Sequence, residues 1–299
     1  MTHKTRAQPQ ASVAPSRQHH RQSVHRERNR WWIYVILVVG CVGMLYPLAW
    51  MLLNSFREDS QIFSNPTGLP TVFDLRNYVA AWFATTPAFG YFFINSFIVC
   101  ALAILGNVAS CSLAAYAFAR LRFPLRGPLF AIMLLTLMLP AHALLVPQYT
   151  LYFNLGWIDT FLPLVVQKFL ATDAFFIFLM VQFIRGIPRE LDEAARLDGC
   201  GAWAIYRRVI LPLLQPALVT TVIFTFIWTY NDFFSQLIYL NSPGRLTVPI
   251  GLRTFVDSSG GSYAQLLAMS VLTLVPTFVV FMLFQRRLVD GISTTGLKG

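Results

Sequence analysis

Glu193-Ala194-Ala195-Arg196-Leu197-Asp198-Gly199, continued by Cys200-Gly201-Ala202-Trp203-Ala204-Ile205-Tyr206-Arg207-Arg208-Val209-Ile210-Leu211-Pro212, is a polar stretch of both charge signs between long apolar segments. Charged groups are costly in hydrocarbon, so the stretch lies outside it. Pro188 suits the first turn of a helix, where its missing N–H is no loss. Glu190, Asp192 and Glu193 follow where the helix dipole favours carboxylates. Gly199 ends that helix in a left-handed conformation, and a second short helix is expected over Ala202 to Val209 before Leu211-Pro212 turns the chain back. Leu191, Ala194, Ala195 and Asp198 stand at i, i+3, i+4 and i+7, which makes one shallow face able to enter a groove on a partner. An ordinary solvated loop containing a helix would show the same periodicity.

The segments on either side decide the class. Of 299 residues, 56% are hydrophobic and 12% charged, more apolar surface than a soluble domain of this length can hide. Membrane spans are expected over Trp31 to Leu53, Tyr91 to Phe118, Pro128 to Pro147, Phe161 to Phe183, Leu213 to Phe234 and Gln265 to Phe284. Each approaches the roughly 20 residues that cross a bilayer core. Six spans put both termini on one side, and Lys and Arg identify it. Seven lie in the amino-terminal tail, three in the second-to-third connection, five around the polar stretch and three at the carboxyl end, together 18 of 23. The opposite loops hold only Arg57, Arg76, Arg245 and Arg253, with Lys168 inside a span. Both termini and the polar stretch are therefore expected in the cytoplasm.

Other functions are excluded on chemistry. The net charge of +10 follows the topology, and no soluble domain carries a basic patch with interleaved aromatics, so nucleic acid is not a partner. Residues 1–30 read as a disordered basic tail able to rest on anionic lipid, and the long apolar segment behind them argues against a cleaved signal. His19, His20 and His25 in that tail lack the company of a metal site. Cys100 and Cys111 are about 16 Å apart on one helix, too far to bridge. No G-x-x-x-x-G-K-[S/T] run exists, so nucleotide phosphates are not cradled that way, and an ATPase, if one drives transport, is another polypeptide. No nucleophile stands beside a general base.

Polar residues within spans are candidates for a pathway. Asn231 and Asp232, beside Trp228 and Tyr230, combine aromatic faces with hydrogen-bonding groups, which is what a sugar ring with hydroxyls requires. Anchoring at the membrane interface is the competing explanation. His142 and Gln148 flank Pro140 and Pro147, which free backbone carbonyls where a pathway could form; either could instead be a packing hydrogen bond. Lys168 and Asp173, five apart, are not expected to pair along one helix.

The pattern Glu-Ala-Ala, three residues, Gly, nine residues, Val209-Ile210-Leu211-Pro212 resembles the coupling-loop signature of ABC importer permeases. The flanks Ile187-Pro188-Arg189-Glu190-Leu191-Asp192 and Leu213-Leu214-Gln215-Pro216-Ala217-Leu218 resemble the carbohydrate-uptake branch, close to the second permease subunit of maltose-type importers. Ala115-Tyr116-Ala117-Phe118-Ala119-Arg120-Leu121-Arg122-Phe123, Thr229-Tyr230-Asn231-Asp232-Phe233 and the tail Gly291 to Gly299 resemble segments in the same order there. Cys200-Gly201 departs from the pattern and could loosen the second coupling helix.

The resemblance covers Trp31 to Gly299 and implies an all-α membrane protein of six transmembrane helices, with a cytoplasmic coupling-helix loop between helices 4 and 5. Residues 31–299 form the permease domain. By resemblance, Glu193, Ala194, Ala195, Asp198, Gly199 and Pro212 carry coupling to the ATPase, with Arg196 orienting the loop and Thr294 to Gly299 reaching the same interface. The implied partners are a homologous permease, two ATPase subunits holding ATP and Mg, and an extracytoplasmic solute-binding protein, all at the bacterial cytoplasmic membrane. The chain itself binds no cofactor or metal. A permease for another solute, such as a phosphorylated polyol or an amino acid, is the nearest alternative. A secondary transporter or membrane-embedded enzyme is the next.

Overall fold

The structure, a computed structural model, describes the backbone of residues 31–70, 73–257 and 262–296, and the side chains of these apart from 141–142, 257 and 286–296. The tail 1–30 lies outside the described residues, as do the side chains of His142 and of Thr294 to Gly296. Contacts divide the chain into two units, 1–50 and 51–299. The described part of the first is helix α1 (Trp31–Asn54), which crosses the boundary by four residues and is apolar around its whole circumference.

The second unit is helical in every described regular element. It begins with α2 (Asp59–Ser64) and α3 (Arg76–Phe83), before the long α4 (Gly90–Arg120). Buried Arg57 organises the first loop by donating to Asn54 Oδ1 at 2.7 Å and to the carbonyls of Gln61, Asn65 and Gly68. Short helices α5 (Arg126–Thr136), α6 (Leu145–Asn154) and α7 (Leu162–Phe169) precede α8 (Ala174–Gly186). The polar stretch forms α9 (Glu190–Leu197) and α10 (Ala202–Ile205), a π-helical turn over Tyr206–Ile210, and α11 (Leu211–Leu213). The remainder is α12 (Gln215–Tyr230), α13 (Phe234–Tyr239), α14 (Val248–Asp257) and α15 (Tyr263–Gly296).

At 1.5 Å per residue α4 is about 46 Å long, more than a hydrocarbon core. It has no internal proline to interrupt it. Small buried residues Cys111, Ala115 and Ala119 repeat every four positions and let α8 approach with Phe176, Ile177, Met180 and Ile184. Nearer its start, Phe92 and Cys100 pack with Phe226 and Tyr230 of α12 and Met269 of α15.

Four described helices are long and apolar enough to cross a membrane: Trp31–Asn54, Gly90–Arg120, Leu162–Gly186 and Tyr263–Gln285. The fifth expected span is a bent pair, Ala202–Leu213 and Gln215–Tyr230, meeting at 74°. Pro212 and Pro216 lie in the first turns of the helices on either side of Leu214, where proline is tolerated but cannot donate backward. The third expected span, Pro128 to Pro147, is not one helix. It stops at Thr136 and resumes through a 3-10 turn over Ala141–Leu144, because Pro140 lacks an N–H to continue the ladder and a proline disfavours helical dihedrals at the residue before it.

The α7–α8 span is interrupted at Leu170 to Asp173, with Ala171 at φ 54°. Just before this break the end of α7 sits against Gly106 of α4, where an added Cβ would lie 2.9 Å from the Lys168 carbonyl carbon and 2.8 Å from the Phe169 ring. Gly106→Ala should therefore lower stability by about 1–3 kcal/mol through overpacking. Gly186→Ala, with open space around it, is the control. Equal thermal unfolding of the two variants in detergent would show that the approach is not close.

Candidate functional site

The polar stretch is built from the carboxyl-terminal end of α4 outward. Three side chains one turn apart, Ser112, Tyr116 and Arg120, form a buried polar stripe on that helix. Ser112 Oγ shares a 2.8 Å hydrogen bond with the Tyr206 hydroxyl. Tyr116 donates its hydroxyl to the Ala202 carbonyl at 3.0 Å, and its ring lies 5.3 Å from that of Tyr206. Arg120 donates from Nη2 to the Ile187 carbonyl at 2.6 Å and brings Nε within 3.0 Å of Asp192 Oδ2. Both partners are inside, with side-chain exposures of 3% and 8%. Neither Arg120 Nε nor Asp192 Oδ1 has an aligned hydrogen bond, so the pair is held by charge and incompletely satisfied.

Helix α9 opens with Glu190, Asp192 and Glu193 in its first turn, while Pro188 stands two residues outside it and Arg189 takes the N-cap. Its end is a Schellman motif. Cys200 N donates to the Ala195 carbonyl at 2.9 Å and Gly199 N to the Arg196 carbonyl at 3.0 Å, with Gly199 at φ 80°. Gly201 is extended and caps α10, so the second glycine does not continue the left-handed turn. The second short helix is α-helical only to Ile205 before it widens into the π turn.

Leu191, Ala194 and Asp198 are exposed, as the sequence pattern requires, but Ala195 faces inward beside Asp192 in the core. The outer surface instead gains Leu197 at 90% exposure and Trp203 at 64%. Between α4 and α9 lies a cavity of about 370 Å³ whose wall includes Arg120, Arg122, Arg189 and Arg196, with Glu193 beside Asp192.

A second polar region lies deeper. Lys168 Nζ is 2.9 Å from Asp173 Oδ2, and Asn107 Nδ2 donates to the same oxygen at 2.6 Å and to Thr225 Oγ1 at 3.1 Å. The pair forms, against the expectation from a continuous helix, because the break at Ala171 turns Asp173 back toward Lys168. Beside it a cavity of about 160 Å³ is lined by Lys168, Trp228, Thr229, Asp232 and Ser235 among others.

Of the proposed pathway residues, this cavity unites Trp228 and Asp232. Trp228 is half exposed, its ring 5.3 Å from Phe176 and 5.5 Å from Phe175. Tyr230 is buried at 1% exposure and donates to the Thr273 carbonyl, joining α12 to α15 rather than facing the cavity. Asn231 is exposed and returns its amide to the Ile227 carbonyl at 2.7 Å. Gln148 lies on α6, accepting from Tyr239 at 3.4 Å. His142 falls in the 3-10 turn, and its side chain is outside the described residues. No group of three His, Cys, Asp or Glu able to hold a metal is found among the described residues.

The chain matches the family model described as "Binding-protein-dependent transport system inner membrane component" over residues 106–294. It is 31% identical over 292 residues to the probable ABC transporter permease protein YurM of Bacillus subtilis, covering 96% of each chain. It is 32% identical over 260 residues to the arabinooligosaccharides transport system permease protein AraQ of Halalkalibacterium halodurans, covering 85% of this chain and 91% of that one. A crystal structure of a bacterial ABC transporter involved in import of the acidic polysaccharide alginate has a chain that superposes with a TM-score of 0.74. Identity there is 23%, with 85% of this chain and 94% of that chain covered, a likeness of fold.

Proposed function

We infer the function from a premise that these matches establish: the chain belongs to the family of binding-protein-dependent transport system inner membrane components. It is a membrane subunit of an ABC importer, and its cargo is a carbohydrate, as the name of the arabinooligosaccharide relative and the aromatic, hydroxyl-bearing cavity beside Trp228 support. A solute-binding protein delivers that cargo outside. ATP and Mg are held by two separate ATPase subunits, and a homologous permease completes the pathway. The six-span topology counts α5 and α6 as one broken crossing, with both termini in the cytoplasm.

One observation carries the coupling role: the polar helix α9 and the short α10 leave Leu197 and Trp203 uncovered, and a buried stripe of α4 holds them in place. Exposed apolar side chains beside charges suit a protein groove, not lipid. Glu193, Ala194, Asp198 and Gly199 shape that surface, Ala195 seats it on the core, and Pro212 begins the return toward α12. ATP-driven closure of the ATPase pair moves the element and, through α4, the cavity.

Leu197→Asp tests this. Burying a leucine contributes about 1.5–3 kcal/mol, so the variant should capture the ATPase at least about tenfold less well. Substitution at so exposed a position should change the chain's own stability by only about 0.5 kcal/mol. Undiminished co-elution of the ATPase with Leu197→Asp and with Trp203→Ala would refute docking at this surface.

A further inference from the structure

We propose that the cavity beside Trp228 excludes acidic solutes and accepts neutral or amine-bearing sugars, with Asp232 setting that preference. This rests on the reading of the cavity as part of the translocation pathway.

The charges on its wall support the proposal. Among the described residues that line it Lys168 is the one cation, and its ammonium already faces the Asp173 carboxylate at 2.9 Å. Asn107 donates to the same carboxylate oxygen from the other side, which fixes Asp173 in place as the lysine's partner. Asp232, by contrast, accepts from the Ser235 N–H at 3.1 Å and has no ion-pair partner among the described residues. The Lys168–Asp173 pair therefore cancels, and Asp232 leaves a surplus negative charge on the wall.

A solute carboxylate or phosphate entering this space would have to displace Asp173 from Lys168 while lying beside Asp232. Charges this close to low-dielectric walls interact far more strongly than in water. An uncharged sugar meets neither penalty. The half-exposed Trp228 ring offers an apolar face, and the hydroxyls of Thr229 and Ser235 with the Gln167 amide offer uncharged hydrogen-bonding groups. An amino sugar would gain further from Asp232.

The test reads the local potential without knowing the cargo. Ser235→Cys is made in the whole importer, with Cys41 and Cys200 replaced by Ser, leaving the buried Cys100 and Cys111. Labelling rates in lipid nanodiscs are compared for a trimethylammonium thiosulfonate and its sulfonate counterpart, each normalised to exposed Ser64→Cys. The cationic reagent should react roughly tenfold faster at position 235, and adding Asp232→Asn should remove most of that preference. Labelling at equal rates, or faster with the sulfonate, overturns the charge selection while leaving the pathway intact. Failure of both reagents to label position 235 overturns the pathway reading itself and the proposal with it.

Discussion

Arg120→Met should detach the docking element from α4, lowering its local stability by about 3–5 kcal/mol, because the change leaves Asp192 as an unpaired carboxylate in the interior. Asp192→Leu should do comparable harm by leaving the buried guanidinium without its counter-charge, with only the Ile187 carbonyl to accept from it. The double variant Arg120→Met, Asp192→Leu should recover most of the loss. The native pair is 3.0 Å apart but lacks an aligned hydrogen bond at Arg120 Nε and at Asp192 Oδ1, so an apolar pair of similar volume sacrifices little. Limited proteolysis between Arg196 and Trp203, with thermal unfolding in detergent, reads the local loss. Co-elution of the ATPase reads its consequence. Single variants with native protection, or a double variant as damaged as the worse single, would show that this pair does not position the element.

Gly199→Val should abolish coupled transport while the protein still accumulates in the membrane. Gly199 has φ 80°, and no atom lies within 4 Å of where a Cβ would be, so the whole penalty is backbone strain with no steric clash. A left-handed conformation costs an ordinary residue about 1–2 kcal/mol, and a β-branched one resists it most. The chain relieves the strain by abandoning the Schellman turn, which redirects α10 and moves Trp203 relative to Leu197. Gly199→Asn, which tolerates this region, should retain most transport. Loss of ATP hydrolysis stimulated by the loaded binding protein in the valine variant, with retention in the asparagine variant, is the expected outcome. Normal stimulation in both would separate the turn from coupling.

The apolar runs and the punctuation by Gly and Pro made the helical membrane class, most span positions and the turn at Gly199 legible without coordinates. The elements that escaped are those set by distant partners. Arg120 and Asp192 belong to different helices, and nothing local to either announces the other. Ala195 satisfies the spacing of an exposed face, yet the direction from which α9 is anchored turns it inward and leaves Leu197 outside. The five-residue spacing of Lys168 and Asp173 rules out pairing only along a continuous helix, and Ala171 at φ 54° breaks that continuity. Tyr230 sits in a run of aromatic and polar residues, but tertiary packing places its ring in the core beside Phe226 and sends only its hydroxyl to a carbonyl.

Gly106 has a mechanical consequence. Helix α4 touches the end of α7 there with no room for a methyl group, and it runs uninterrupted to both ends. From that fulcrum one arm extends about 21 Å to Arg120 and the other about 24 Å to Gly90 at 1.5 Å per residue. A stiff beam with arms this nearly equal has a mechanical advantage close to one. A sideways stroke delivered to the Arg120 end swings the Phe92 end the opposite way by a similar distance, so the stroke is inverted and scarcely amplified.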